Sequence, residues 1–265
     1  MLKIENVTKI FNLDQPISNH KIALDNVSLH IEEGEFVTVI GGNGSGKSTL
    51  MNIICGVFKP EEGTVFIDGV NVTKLSEHKR AKFIGRVFQD PNMGTAGNMN
   101  IQENMELALR RNKIKTLKWG FKKKNEEVFK EKLSALGLGL ENRLEQKIGL
   151  LSGGQRQAIT LLMATLEEPK LLLLDEHTAA LDPKTAKTVL EITEKIVKQN
   201  NLTTIMITHN MKDAIKYGNR LIMLNNGKIV LDVKGEEKSN LTIDKLIKMF
   251  ENTTVEFTDS MLLSK

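Results

Sequence analysis

The chain has 265 residues, which at the usual ~150 residues per domain allows one large or two small domains and excludes a giant multidomain protein. Hydrophobic residues make up 40% and charged residues 26%, a balance typical of a globular protein with a buried core, so a disordered or low-complexity chain is excluded. The net charge of +4 is too small an excess to indicate a nucleic-acid-binding protein.

The first residues and the single cysteine bear on where the protein works. Cys55 has no partner for an internal disulfide, which favours a reducing compartment. The charged Lys3 and Glu5 interrupt the start of the chain, so a signal-peptide core is not expected there. No stretch approaches the ~18 apolar residues of a membrane span. If the protein works at a membrane, we expect another chain to span it.

Short β-rich runs alternate with helical patterns along the chain, which predicts an α/β sheet with helices packed on it. The predicted strands are 35–40, 64–67, 171–174 and 203–208. The predicted helices are 47–55, 155–166, 184–199 and a short one at 241–250. The runs LLLL and TTIMIT carry no polar alternation, which predicts central parallel strands covered on both faces.

A change of composition in the middle of the chain predicts the domain organisation. Strand signals vanish between residues 92 and 150, where the sequence becomes helical and basic. We therefore predict an inserted helical subdomain at 92–150, an α/β core from 1–91 and 151–250, and a short tail at 251–265. From 107 to 124 there are eight basic residues and no acidic one. Such a run suits contact with anionic lipid or a partner, although a solvated helical surface is the favoured interpretation.

A glycine-rich motif, GGNGSGKS, lies between the apolar strand FVTVI and a helical stretch. It matches the phosphate-binding pattern G-x-x-x-x-G-K-[ST], and the flanking strand and helix argue against a chance glycine-rich turn. Backbone N–H groups and the helix N-terminus are expected to face the phosphates, with Lys47 on the β- and γ-phosphates and Ser48 on Mg²⁺. The predicted nucleotide-binding residues here are Gly41, Gly42, Asn43, Gly44, Ser45, Gly46, Lys47, Ser48 and Thr49.

Two further strands end in residues suited to nucleotide hydrolysis. Asp175 and Glu176 follow LLLL, so Asp175 is the predicted Mg²⁺ residue and Glu176 the predicted group that polarises the attacking water. His209 follows TTIMIT and is predicted to contact the γ-phosphate, although a lone histidine is more often structural. Because open α/β sheets bind ligands at the carboxyl ends of their strands, Gly41, Asp175 and His209 are expected at one sheet edge.

The stretch LSGGQ at 151–155 separates this chain from other phosphate-loop proteins. With Gln89 in VFQDP, Asp182 in TAALD and His209 in ITHN, the sequence closely resembles ATP-binding-cassette (ABC) ATPase subunits from residue 2 to about 250. The resemblance implies an α/β phosphate-loop NTPase cassette with a parallel-sheet core, an N-terminal antiparallel β part and the inserted helical subdomain.

The resemblance also implies roles for individual residues. Two cassettes are expected to pair head to tail, so that the Ser152 hydroxyl and Gly154 N–H of one cap the ATP bound by the other. Gln89 resembles the glutamine that senses Mg²⁺ and the attacking water, and Asp182 the residue that links the two sites. Phe11 stands where the family places an adenine-stacking aromatic, although strand aromatics are commonly core residues. The remaining signature residues expected at the nucleotide are Gly153 and Gln155.

The implied function is the ATP-hydrolysing subunit of a bacterial ABC transporter that powers solute import, with an amino acid as a candidate solute. ATP and Mg²⁺ are the implied cofactors. A second copy of the chain, integral membrane permease subunits and an extracytoplasmic solute-binding protein are the implied partners, with no nucleic acid. The implied location is peripheral, on the cytoplasmic face of the cell membrane. The alternative is an ABC ATPase switch of a lipoprotein-release or cell-division complex.

One departure from the family pattern lies beside the predicted catalytic carboxylate. His177 stands where most members have proline. Its imidazole either perturbs the site of Glu176 or simply occupies the loop, and the second interpretation is favoured.

Overall fold

A computed structural model of the chain describes residues 1–111 and 123–251, including their side chains except at 123–124 and 250–251. The strands are β1 (Leu2–Phe11), β2 (Lys21–Ile31), β3 (Phe36–Ile40), β4 (Glu62–Ile67), β5 (Val70–Asn71), β6 (Ile84–Val87), β7 (Leu171–Asp175), β8 (Thr204–Ile207), β9 (Arg220–Asn225) and β10 (Lys228–Lys234). The α-helices are α1 (Lys47–Cys55), α2 (Glu77–Arg80), α3 (Ile101–Leu109), α4 (Lys123–Ser134), α5 (Gly153–Thr165), α6 (Pro183–Gln199), α7 (Met211–Lys216), α8 (Gly235–Ser239) and α9 (Ile243–Glu251). Short 3-10 helices cover Ile17–Asn19, Pro91–Gly94 and Ile148–Leu150.

The strands form two sheets. A six-stranded sheet has the order β10-β9-β3-β8-β7-β6, parallel from β9 to β6 with β10 antiparallel at one edge. A four-stranded antiparallel sheet has the order β2-β1-β4-β5. The predicted parallel core and N-terminal antiparallel part are confirmed. The predicted strand at 64–67 is β4 of the antiparallel sheet, because it pairs with β1 rather than with the central strands.

The central parallel strands are buried on both faces, as their continuous apolar runs predict. In β7, Leu171 and Leu173 pack into a cluster with β1 and α1, whereas Leu172 and Leu174 face a second cluster with α5 and α6. All four are 0% exposed. Alternate residues of one strand therefore anchor it to two separate cores, which fixes the position of the residues that follow the strand.

Between residues 92 and 150 the described part of the chain contains helices α3 and α4 and short 3-10 helices joined by turns, with an isolated bridge between Asn100 and Lys147. Asn100 caps α3 by accepting from Glu103 N–H, while the Glu103 carboxylate accepts from Asn100 N–H. Ile101 and Phe129 join the same apolar cluster as α5, so this region packs continuously on the core. The boundaries of the inserted subdomain stay a prediction. Most of the basic run, at 112–122, and the tail at 252–265 lie outside the described residues.

No helix in the described part of the chain is long and apolar enough to cross a membrane.

Candidate active site

The predicted site residues meet at the carboxyl edge of adjacent strands. The neighbours β3, β8, β7 and β6 run parallel, so their carboxyl ends lie at one edge of the sheet. Gly41 follows β3, His209 follows β8, Asp175 ends β7 and Gln89 follows β6. The sheet order thus brings together residues that are up to 168 positions apart in the sequence, from Gly41 to His209. This is the edge where open α/β sheets bind ligands.

The loop at 41–46 depends on glycine at two tightly packed positions. Gly41 has φ +153° and Gly46 has φ +109°, values that side-chain-bearing residues rarely adopt. A Cβ on Gly41 would lie 2.3 Å from the Leu224 carbonyl oxygen, and one on Gly46 would lie 2.6 Å from that of Ala23. At these two positions a side chain would collide with neighbouring backbone, so the loop requires glycine there. The Ser45 Oγ atom is buried inside the loop without a hydrogen-bond partner among the described residues.

Lys47 is the first residue of α1 and is only 5% exposed. Its Nζ donates hydrogen bonds to the carbonyl oxygens of Gly41 (2.8 Å) and Gly42 (3.0 Å). Burial lowers the pKa of Lys47, while the charges of Glu176 and Asp175 act to raise it. The two carboxylates are therefore close enough to influence the ammonium group at the base of the loop.

A cavity of about 320 Å³ lies beside this loop. The cavity is lined by the end of β1, the start of β2, the glycine-rich loop and the first turn of α1. The lining residues are Phe11, Asn12, Lys21, Ala23, Gly44, Ser45, Gly46, Lys47, Ser48 and Thr49. The Phe11 ring packs edge-to-face against Phe58, with 5.3 Å between ring centroids. Phe11 thus lines the cavity and also contacts another ring, so its adenine-stacking role stays a prediction.

Glu176 and His209 form a contact pair across neighbouring strands. His209 Nε2 lies 2.5 Å from Glu176 Oε1. Glu176 has φ +47°, in the left-handed region that non-glycine residues rarely occupy, and its N–H donates to the Ile207 carbonyl at 3.1 Å. The strained turn thus directs the carboxylate at the imidazole. His209 Nδ1 is buried and has no partner within the described residues.

The residues present suit a magnesium–triphosphate group. Mg²⁺ prefers oxygen ligands and commonly uses few protein carboxylates together with phosphate oxygens and water. Asp175 offers a carboxylate near Lys47, and Ser48 offers a hydroxyl on the first turn of α1. The described residues contain no cluster of three or more His, Cys, Asp or Glu side chains that would hold a metal alone. This donor set fits a metal that arrives with a nucleotide.

The signature residues lie at the start of α5. Ser152 caps this helix by accepting from Gln155 N–H, and the Gln155 side chain accepts from Ser152 N–H, both at 3.3 Å. A Cβ on Gly154 would lie 2.0 Å from Thr185 Cγ2 of α6. Asp182 caps α6 by accepting from Thr185 N–H at 3.1 Å. Hydrogen bonds with the side chain and the backbone of Thr185 lower the pKa of the Asp182 carboxyl. The signature and Asp182 are thus packed side by side.

No hydrogen bond or ion pair of the described residues joins the signature at 152–155 to the loop at 41–49. The Ser152 side chain is exposed. The two predicted halves of the nucleotide site are therefore not bonded to each other within one subunit.

Two polar residues at this edge have no role in the sequence-based prediction. Gln157 of α5 is fully buried and donates through Nε2 to the Phe88 carbonyl at 3.0 Å, next to the exposed Gln89. Arg86 of β6 pairs with Asp175 through Nη2 and Oδ2 at 3.0 Å. The one available signal for Arg86 is a charged residue inside the apolar strand IGRV.

His177 points away from the candidate site. It is 2% exposed, and its Nε2 lies 3.1 Å from Thr193 Oγ1 of α6. Burial lowers its pKa to about 4, so the imidazole is neutral at physiological pH. The side chain occupies the loop against α6, as the favoured interpretation expects.

Comparisons with known proteins identify relatives of this chain. Residues 24–179 match the family model described as ABC transporter. The chain is 48% identical over 251 residues to the tyrosine transport ATP-binding protein of Clostridioides difficile (strain R20291), covering 95% of this chain and 99% of that protein. It is 36% identical over 254 residues to the energy-coupling factor transporter ATP-binding protein EcfA2 of Clostridium perfringens (strain 13 / Type A), covering 92% and 84%.

A solved structure shares the fold. The dimeric post-hydrolysis state of the ATP-binding cassette MJ0796 of Methanocaldococcus jannaschii, bound to ADP and Pi, superposes with a TM-score of 0.72. The two chains are 33% identical, and the match covers 88% of this chain and 98% of that one.

Proposed function

The chain belongs to the ABC transporter family and is an ATP-binding ATPase, and from this premise we propose that it powers import of a solute through a separate membrane permease. The observation that carries the proposal is the full-length similarity to a tyrosine transport ATP-binding protein. An amino acid is accordingly the favoured solute class. The lipoprotein-release and cell-division alternative has no comparable support among these relatives.

Hydrolysis is assigned to the residues at the sheet edge. Lys47 exchanges its bonds to the Gly41 and Gly42 carbonyls for contacts with the β- and γ-phosphates. Ser48, Gln89 and Asp175 would hold Mg²⁺, which neutralises phosphate charge when bound.

Glu176 accepts a proton from the attacking water, and His209 orients the carboxylate through its Nε2 contact. The same imidazole is proposed to contact the γ-phosphate, as the sequence predicts for His209. The pair would therefore supply a base whose direction the protein itself fixes.

A second copy of the chain is proposed to complete each site. The exposed Ser152 and the N-terminus of α5 are free to contact a nucleotide held by another subunit, because they are not bonded to the subunit's own loop. Binding of ATP between two subunits favours the closed pair, and hydrolysis removes that preference. Asp182, packed beside the signature, links the two sites.

The remaining partners follow from the proposed import role. The permease would dock near the segment at 89–103, where Met93 is 68% exposed and offers an adaptable apolar contact. Met99 lies in the same segment, where it serves either docking or local packing. An extracytoplasmic binding protein would deliver the solute, and this subunit would sit on the cytoplasmic face of the membrane.

The test is transport by a reconstituted complex. The chain is co-purified with the permease encoded beside it, placed in proteoliposomes, and supplied with ATP, the binding protein and a panel of labelled amino acids. We expect ATP-dependent uptake of at least one amino acid, with an aromatic one first in the panel. Uptake should be absent with Glu176→Gln. A complex that hydrolyses ATP yet moves no amino acid would contradict the solute class, and the lack of any co-purifying permease would contradict the import role.

A further inference from the structure

Arg86 is a charged residue in a strand that is otherwise apolar. It lies in β6 between the buried Gly85 and Val87, and its side chain is only 15% exposed. A guanidinium in such a place needs partners, because charge is costly to remove from water. Nothing in the hydrolysis scheme proposed above uses it.

The strand register accounts for the principal partner of Arg86. β6 and β7 are parallel neighbours, and Arg86 lies opposite Leu173. Because residues two apart in a strand share a face, Asp175 projects on the same side as Leu173. The Arg86 guanidinium reaches it with 3.0 Å between Nη2 and Oδ2, and the Asp175 side chain is 18% exposed. The ion pair is thus built into the sheet and largely shielded from solvent.

Besides Asp175, the Arg86 guanidinium has an aromatic ring beside it and one buried N–H without a partner in the described part of the chain. Its Cζ lies 4.6 Å from the centroid of the Phe88 ring, next to Gln89. Its Nε is buried without a hydrogen-bond partner in the described part of the chain. The present position therefore pairs the charge with Asp175 but leaves one buried donor of the guanidinium without a partner.

A cavity of about 170 Å³ adjoins Arg86 and offers space for movement. Two other charged residues line it, the acidic Glu77 and the basic Arg111. The full lining is Cys55, Glu77, Ala81, Ile84, Arg86, Phe88 and Arg111. This cavity offers a guanidinium displaced from Asp175 one opposite charge, at Glu77, and one like charge, at Arg111.

We propose that Arg86 is a positioning residue that holds the Asp175 carboxylate and competes with Mg²⁺ for it. The inference rests on the proposed role of Asp175 as a metal residue. A guanidinium beside the carboxylate occupies one of its oxygens and places a positive charge near the dication. Mg²⁺ that binds with ATP must compete with the Arg86 charge for this carboxylate, and this competition weakens the gain in ATP affinity that Mg²⁺ provides.

The test compares nucleotide affinity with and without the metal. A fluorescent, slowly hydrolysed ATP analogue is titrated into the full chain in excess EDTA and in excess Mg²⁺, and the ratio of the two dissociation constants measures the benefit of Mg²⁺. Removing the charge with Arg86→Met should raise this ratio about tenfold, a size usual for coupling between two ligands. Arg86→Lys keeps the charge and should stay near the wild-type ratio.

Two controls separate competition from a structural effect. Arg143→Met removes an equal charge from a side chain whose Nε bonds the Gln146 amide, and it should leave the ratio unchanged. In the background of Asp175→Asn, Arg86→Met should have little effect, because the carboxylate for which the two cations compete is gone. A purely structural role for Arg86 would alter the midpoint of urea unfolding without altering the ratio.

The same titrations distinguish failure of the proposed ATP site from failure of the proposed competition. If the wild-type chain does not bind the analogue, the proposed ATPase site fails. If it binds the analogue more tightly with Mg²⁺, but Arg86→Met leaves the ratio unchanged or lowers it, the competition is wrong while the site stands.

Discussion

The carboxylate of Glu176 and the imidazole of His209 are held together by contacts within the chain itself. The left-handed backbone at Glu176 aims the carboxylate, and the 2.5 Å contact with His209 Nε2 fixes it. A base that is already oriented loses little freedom when the reaction begins. At the scale of single residues, the proposed mechanism therefore makes the Glu176 carboxylate oxygen the proton acceptor.

Glu176→Gln is expected to lower the rate of ATP hydrolysis by about 100-fold or more while leaving ATP affinity close to normal. The amide keeps the shape of the side chain and its contact with His209 but accepts a proton poorly. Phosphate release and equilibrium nucleotide binding measure the two effects separately. Glu62→Gln, on an exposed residue of β4, is the matched control and should behave like the wild type. A near-normal hydrolysis rate would remove Glu176 from its assigned role.

His177 is expected to make the protein less stable in mild acid. The pKa of the buried imidazole is lowered to about 4, whereas in the unfolded chain it returns to its ordinary value of about 6.5. Between these values the unfolded state binds a proton that the folded state does not, so the free energy of unfolding falls as pH decreases from about 6.5 to about 4. Below that window this group adds no further pH dependence.

His177→Gln tests this expectation, because the amide can still hydrogen-bond Thr193 but does not titrate. Urea unfolding at pH 7 and pH 5 should show a smaller loss of stability for this variant than for the wild type. His78→Gln replaces an exposed histidine and should retain the wild-type difference. Identical pH dependence in the wild type and His177→Gln would show that the buried imidazole is not responsible.

At the scale of elements, the central strands and long helices were predictable and the short elements were not. Helix α1 coincides with its predicted bounds, β7 is longer than predicted by one residue at its end, and β8 is shorter by one residue at each end. The apolar runs of both strands made them predictable, because such runs need cover on both faces. The short α8 is polar and β10 lies at the edge of the sheet, and neither was predicted. The interior strand β9 was also missed, although its sequence RLIMLN is largely apolar and buried. Gln89, Asp175 and His209 were identified as candidates, whereas the partners Arg86 and Gln157 were revealed only by packing between elements.

The start of α5 is expected to tolerate no side chain at Gly154. Gly154→Ala places a methyl group 2.0 Å from Thr185 Cγ2, so either the Thr185 side chain must rotate or α5 and α6 must separate. Overpacking of this kind costs about 1–3 kcal/mol of unfolding free energy, measurable by urea denaturation. Gly153→Ala is the neighbouring control, because its new Cβ meets only the end of the Leu181 side chain, at 3.2 Å.

A second substitution identifies the clash at Gly154. Thr185→Ser removes the colliding methyl group, so it should restore much of the stability lost in Gly154→Ala. If the double variant is as unstable as the single one, the loss arises elsewhere than at the contact between α5 and α6.

At the scale of the whole molecule, each nucleotide site is proposed to need two subunits. Lys47→Ala disables the phosphate loop of its own subunit, and Ser152→Glu disables the cap that a subunit offers to its partner. Each variant alone should be nearly inactive. A mixed pair retains one complete site, so an equal mixture that pairs at random should recover about a quarter of wild-type hydrolysis per chain. Phosphate release after mixing measures the recovery; no gain on mixing, or full wild-type activity, would contradict capping between subunits.

The parallel order β3-β8-β7-β6 also determines how far apart the residues at the strand ends lie. Neighbouring strands are spaced by about 4.8 Å through backbone hydrogen bonds, so the ends of these strands span about 14 Å whatever side chains fill the cores. Conservative substitutions in the interior should leave this spacing intact. One extra residue within β8, by contrast, would turn His209 to the opposite side of the sheet and part it from Glu176. The main chain thus sets the distances between the proposed site residues. These distances should change more when a residue is inserted in a strand than when one side chain is substituted for another.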